Sequence, residues 1–185
     1  MSVNLKEILE AYEQADCLYT EAEVEQAIDA MAKAITERLA FANPLVFCVM
    51  NGGMVVSGKL LTKLRFPLEA GYLHATRYGH ETCGTLLDWK VRPAQDPVGR
   101  TVLIIDDIID EGVTLAAIID YCYEEGAQEV LTAVLVNKDH DHKARAGLTG
   151  DFVGMTVEDR FLFGYGMDYK GYWRNAAGIY ALKGY

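Results

Sequence analysis

Apolar residues recur at helical spacing twice before residue 40, then give way to short unbroken apolar runs, a pattern that predicts helices followed by buried strands. Leu5, Ile8, Leu9 and Tyr12 share one face of a first helix, with Asn4 and Glu7 spaced as a capping box. Thr20 and Glu23 repeat the device ahead of Val24, Ile28, Met31, Ile35 and Leu39, and Asn43-Pro44 breaks that helix. Residues 45–50 are apolar throughout and read as a buried strand that stops at Asn51-Gly52-Gly53. A helix to about Arg65 follows, then a strand over 68–76. Residues 84–91 read as a returning strand, which makes 77–84 the polar tip of a hairpin, expected to be mobile because it cannot pack a core.

The clearest unit lies further on. Residues 101–107 form a short apolar strand closing in Asp106-Asp107, a loop follows, and Leu115, Ile118, Ile119 and Cys122 mark one helix face with Gly126 as its cap. A second strand over 129–136 completes a β-α-β unit, which implies a parallel sheet and a right-handed crossover. Shorter strands are expected over 152–156, 160–163 and 178–182. The fold class is therefore α/β: an open, mostly parallel sheet flanked by helices, with ligands outside the carboxyl ends of the strands. The 185 residues fit one domain.

Composition narrows the function. A net charge of -10 excludes a protein built to hold a nucleic-acid backbone, which needs clustered Lys and Arg. A small phosphorylated ligand stays possible, because backbone amides and a metal ion can hold it locally. The four cysteines are scattered, which fits a reducing compartment. No apolar stretch approaches the roughly 20 residues of a membrane helix, and the charged N-terminus is unlike a signal peptide, so a cytoplasmic location is expected.

The chemistry concentrates in Ile104-Ile105-Asp106-Asp107-Ile108-Ile109-Asp110-Glu111-Gly112-Val113-Thr114. A strand, a glycine turn and a helix N-terminus aim amide N–H groups at one point, which suits a phosphate. Thr114 adds a hydroxyl, and adjacent carboxylates at a strand end, pointing to opposite sides, can accept from vicinal hydroxyls or bind Mg²⁺ through oxygen. A merely solvated loop is the competing account, but acids crowded behind four apolar residues favour a ligand or cation nearby. Neither a Walker loop nor a dinucleotide glycine motif is present.

This run resembles the phosphoribosyl-pyrophosphate motif of type I phosphoribosyltransferases. Val49-Met50-Asn51-Gly52-Gly53, Asp151-Phe152-Val153-Gly154, the stretch from Phe161 to Tyr169, and Arg174 are similar to the hypoxanthine-guanine branch, over about residues 45–182. The resemblance implies a magnesium enzyme joining a 6-oxopurine to the sugar of phosphoribosyl pyrophosphate. It implies a flap at about 75–92 carrying Arg77 and Tyr78, a small hood from the two chain ends, and a homodimer or homotetramer. Asp106 and Asp107 would hold ribose hydroxyls and Mg²⁺, with Asp168 serving a second Mg²⁺ or the edge of the base. The 110–114 loop (Glu111, Gly112, Val113 and Thr114 included) would cradle the 5′-phosphate, and Asp110 would take the N7 proton. Asn51, after a cis peptide bond, with Gly52, Gly53 and Arg174 would face pyrophosphate. Lys138 would donate to the purine O6, Phe161 would stack on the ring and Leu162 would offer backbone groups.

Taken alone, the position of Lys138 does not beat a solvated strand-end lysine, and Phe161 reads by preference as a core aromatic. Asn51 and Glu111 depart from the family's commoner Lys and Thr, and Glu111 is expected to turn its carboxylate outward. Asp139-His140-Asp141-His142 has ligand-type residues without zinc spacing and reads as a solvated loop. A transferase for another base (xanthine, adenine) and a nucleotide-sensing regulator are the competing functions.

Overall fold

The computed structural model describes residues 4–77 and 87–184. Along the chain run α1 (Leu5–Gln14), β1 (Asp16–Thr20), α2 (Glu21–Leu39), β2 (Leu45–Val49), α3 (Met54–Leu61), β3 (Glu69–Arg77) and β4 (Leu87–Val91). Then come β5 (Thr101–Ile109), α4 (Val113–Glu124), β6 (Glu129–Asp139), β7 (Phe152–Glu158), β8 (Leu162–Phe163) and β9 (Gly178–Ala181). A six-stranded sheet runs β4-β3-β2-β5-β6-β7. Neighbours from β3 to β7 pair in parallel, and β4 alone is antiparallel. This is the expected open α/β class.

Central strands of such a sheet are covered on both faces and so need apolar side chains on both. Every residue of β2 is buried. In β5, alternation divides the core: Leu103 and Ile105 pack toward α2 and α3, while Val102 and Ile104 pack toward α4. A second, antiparallel sheet, β1-β9-β8, joins the chain's early and late segments.

Helix α2 starts with the expected capping box, Thr20 accepting from Glu23 N and Glu23 accepting from Thr20 N. Helix α1 does not. Asn4 accepts from Lys6 N at 3.2 Å, and Glu7 instead accepts from Tyr169 Oη at 3.1 Å and pairs with Lys170. Trp173 Nε1 donates to Ile8 O at 2.7 Å, so α1 is tied to the late chain rather than capped in isolation.

Three boundaries differ from expectation. Strand β1 was not expected. Helix α3 ends at Leu61, short of Arg65. Strands β5 and β6 run past their predicted ends, because Ile108 and Ile109 pair with Val136 and Asn137. The acid pair therefore lies within a strand, not at its end. The β3–β4 hairpin forms through His74↔Val91 to Arg77↔Leu87. The expected mobile tip, with Tyr78, lies outside the described residues, as does the Arg77 side chain.

Candidate active site

The carboxyl ends of β2, β3, β5 and β6 supply the site. After β2, a cis Met50–Asn51 peptide turns the chain into the Asn51-Gly52-Gly53 loop. Gly53 lies so close to the sheet that a Cβ there would meet Ile105 O at 2.7 Å and Val49 O at 2.8 Å. Its N–H already donates to Val49 O at 2.8 Å, so the expectation that it serves a ligand is corrected: its part is packing, and Asn51 and Gly52 line the cleft. After β5, Gly112 adopts φ 75°, left-handed backbone that favours glycine, and heads α4 without a capping side chain of its own. The first amides of α4 thus lack the acceptor that most helices supply internally.

Two cavities meet at these strand ends. One, of about 300 Å³, is lined by Asn51, Gly52, His74, Asp106, Asp107, Asp110, Glu111, Gly112, Val113, Thr114 and Arg174. The other, of about 180 Å³, is lined by Asp107, Ile108, Asp110, Lys138, Phe161, Leu162, Met167 and Asp168. Asp107 and Asp110 belong to both. A larger cleft of about 540 Å³ lies elsewhere, between β4 and α4. There Arg145 pairs with Asp120, and Arg92 lies over the Trp89 and Tyr121 rings.

Asp106 and Asp107 are both buried. They do not point apart: Asp107 N donates to Asp106 Oδ1 at 2.9 Å, and the carboxyls are close enough to share a hydrogen bond. Burial pushes both acids above the usual carboxylate range, and Asp107 repels Asp106 further, while the positive field of Arg174 opposes the rise in each.

Asp110 stands at the centre of a second network. Lys138 is buried within β6, and its Nζ reaches Asp110 Oδ2 at 2.9 Å and Asp159 Oδ1 at 3.1 Å. The solvated strand-end account of this lysine fails. His140 Nε2 lies 3.0 Å from Asp110 Oδ1. Burial alone would raise the Asp110 carboxyl, but donation from Lys138 and then His140 outweighs it and holds the acid below its ordinary range. Lys143 Nζ ties down the turn itself, donating to Ile109 O at 3.1 Å and Asp110 O at 2.7 Å. Burial is the main reason its ammonium is pushed down.

The remaining predicted residues frame the second cavity. Phe161 is 42% exposed at its mouth, not a core aromatic, and meets Tyr169 edge-on. Leu162 is buried in β8. Asp168 pairs with Arg174 and accepts from Gly171 N at 2.7 Å, and Arg174 Nη1 donates to Gly166 O, linking both cavities' walls. Asp151 instead braces β6, accepting from Thr132 N at 2.8 Å. Glu111 is half-buried, and its carbonyl accepts from Ala144 N at 2.7 Å. Sequence reasoning missed His140, Lys143, Asp159 and His74. Lys143 and His140 carried one signal, a dense polar run just after the strand bearing Lys138.

An open, mostly parallel sheet with two adjoining cavities at its carboxyl edge defines an α/β protein with a strand-end cleft. The chain belongs to the phosphoribosyl transferase domain family, whose sequence profile matches residues 14–170. It is 31% identical over 167 residues to the hypoxanthine-guanine-xanthine phosphoribosyltransferase of Tritrichomonas foetus, covering 90% of each chain. To the hypoxanthine-guanine phosphoribosyltransferase of Bacillus subtilis it is 29% identical, over 90% of this chain and 92% of that one. A crystal structure of a hypoxanthine phosphoribosyltransferase from Staphylococcus aureus shares the fold with a TM-score of 0.86 at 21% identity, covering 93% and 94% of the two chains. Among the described residues no helix is long and apolar enough to cross a membrane.

Proposed function

We propose that this phosphoribosyltransferase serves purine salvage, moving the 5-phosphoribosyl group from phosphoribosyl pyrophosphate to N9 of hypoxanthine or guanine. The observation that carries this reading is the pair of adjoining cavities, one lined by the acids and the turn into α4 and one lined by Lys138, Phe161, Leu162 and Met167, meeting at Asp107 and Asp110. The amides of Glu111, Gly112, Val113 and Thr114, with the Thr114 hydroxyl, cradle the 5′-phosphate at the α4 N-terminus. Asn51, Gly52 and Arg174 face pyrophosphate, with Gly53 holding their loop against β5.

The buried oxygen donors Asp106 and Asp107, both raised by burial and Asp106 further by repulsion from Asp107, fit magnesium, and Asp168 fits a second ion. Bound there, magnesium would neutralise charge developing on the departing pyrophosphate. Asp106 and Asp107 also accept from the ribose hydroxyls. In the second cavity the Lys138 ammonium donates to the purine O6, Phe161 covers the ring and Leu162 offers backbone groups to its edge. Asp110 takes the N7 proton as the N9–C1′ bond forms. Arg77 and Tyr78, on a flap, shut water out while the ribose carries oxocarbenium character. Strands β1, β8 and β9 form the hood, and the assembly is a homodimer or homotetramer in the cytoplasm.

Incubation with phosphoribosyl pyrophosphate and each base, with and without Mg²⁺, tests the assignment. Turnover is expected with hypoxanthine, guanine or both, only with Mg²⁺, and little with adenine or uracil; xanthine completes the panel. Preference for adenine or uracil contradicts the placement of Lys138.

A further inference from the structure

The run that reads in sequence as a solvated loop, Asp139-His140-Asp141-His142, closes over the Asp110 turn. The His140 side chain is only 7% exposed, and its Nε2 lies 3.0 Å from Asp110 Oδ1. Its other nitrogen, Nδ1, accepts the His142 backbone N–H at 3.1 Å. A ring nitrogen that accepts carries no proton, so in the neutral imidazole the proton sits on Nε2 and is donated to Asp110. The backbone of the loop thereby sets the tautomer that the carboxylate requires.

Lys138 holds the opposite oxygen, Oδ2, but shares its ammonium with Asp159. Under the function proposed above, that ammonium must also serve the purine O6, so Asp110 shares it with two other acceptors. We propose that His140 is a positioning residue: its Nε2–H keeps the Asp110 carboxylate in one orientation while Lys138 engages the base. This rests on Asp110 as acceptor of the N7 proton. That proton passes to the carboxylate as N9–C1′ forms and the C1′–oxygen bond to pyrophosphate breaks; His140 transfers none. A metal site at Asp110, His140 and Asp159, whose donor atoms lie within 4.8 Å of one another, is the rival account. The Lys138 ammonium already bridges the two carboxylates and fills the cation's place.

The charged groups around Asp110 are Lys138 and Asp139 on β6, Lys143 in the loop, Asp159 after β7, Asp107 and Glu111 on its own segment, and Asp168 and Arg174 across the two cavities. Of these and His140, only His140 offers a neutral donor. The test follows the carboxyl carbon of Asp110 by NMR titration of the whole chain, assigned by its disappearance in Asp110→Asn, alongside steady-state kinetics. In His140→Ala the midpoint is expected to rise by roughly half to one pH unit, since a donor to the charged form is lost. The kcat should fall by about tenfold through loss of orientation, with the KM for phosphoribosyl pyrophosphate within about twofold of wild type. His140→Gln, whose Nε2–H reaches the same oxygen, should restore the midpoint and most of kcat. An unmoved midpoint in His140→Ala, or no rescue by Gln, overturns the proposal. Should Asp110→Asn turn over at the wild-type rate, the base assignment falls and takes this role with it. A slow Asp110→Asn beside a normal His140→Ala removes the role of His140 alone.

Discussion

An ammonium has three N–H bonds, and at Lys138 two of them are taken by Asp110 and Asp159, which leaves one for the cavity between them. That remaining donor suits an oxygen acceptor and rejects an amino group, because a buried donor left unpaired costs about 1–3 kcal/mol, or more when charged. Lys138→Ala should therefore narrow the preference for hypoxanthine over adenine by tenfold to a hundredfold, read as the ratio of kcat/KM values. It should also move the acid limb of the kcat/KM profile upward. Lys138 stabilises the charged form of Asp110, so without it the carboxyl protonates at higher pH and the base is lost sooner on acidification. An unchanged base preference in the variant counts against the assignment. Lys138 itself was legible only through its family's motif. For His140 the polar run was visible but its role was not, because nothing in a one-dimensional run says which polar loop folds back onto which turn.

Elements were read best where one face alone decided their form. Helix α2 carries both its apolar stripe and its capping box in sequence, and both appear in the fold. Thr20→Ala removes the side chain that accepts from Glu23 N, a loss typically worth about 1 kcal/mol. In a chain of this size that lowers Tm by roughly 2–4 °C. No residue of α2 lines either strand-end cavity, so kcat should be unchanged; a fall in kcat at constant Tm would contradict the separation of cap and site. Elsewhere tertiary partners decided. Strand β1 is half exposed and pairs with β9, some 160 residues away, and no local pattern announces that. The ends of β5 and β6 were placed early because charged residues ordinarily end a buried strand, whereas here Asp106, Asp107 and Lys138 continue the ladder.

For the molecule as a whole, the acid pair sets stability against function. Asp106 and Asp107 are pushed above the usual carboxylate range, first by burial, so the folded state holds protons that the unfolded chain has already released. The sign follows: between the unfolded value of about 4 and the higher folded values, stability falls as pH rises. At neutral pH the buried acid pair therefore costs the folded chain stability. Asp106→Asn removes one charge yet keeps an oxygen able to accept from Asp107 N, which now donates at 2.9 Å. In chelator at pH 7 this variant is expected to melt above the wild type, with the gap closing toward pH 4. Added Mg²⁺ should raise Tm for the wild type and much less for the variant, whose activity should fall. A variant that melts below the wild type at pH 7 in chelator would mean that the pair is already satisfied by the protein. In that case the need for a cation, and with it the proposed magnesium site, loses its physical basis.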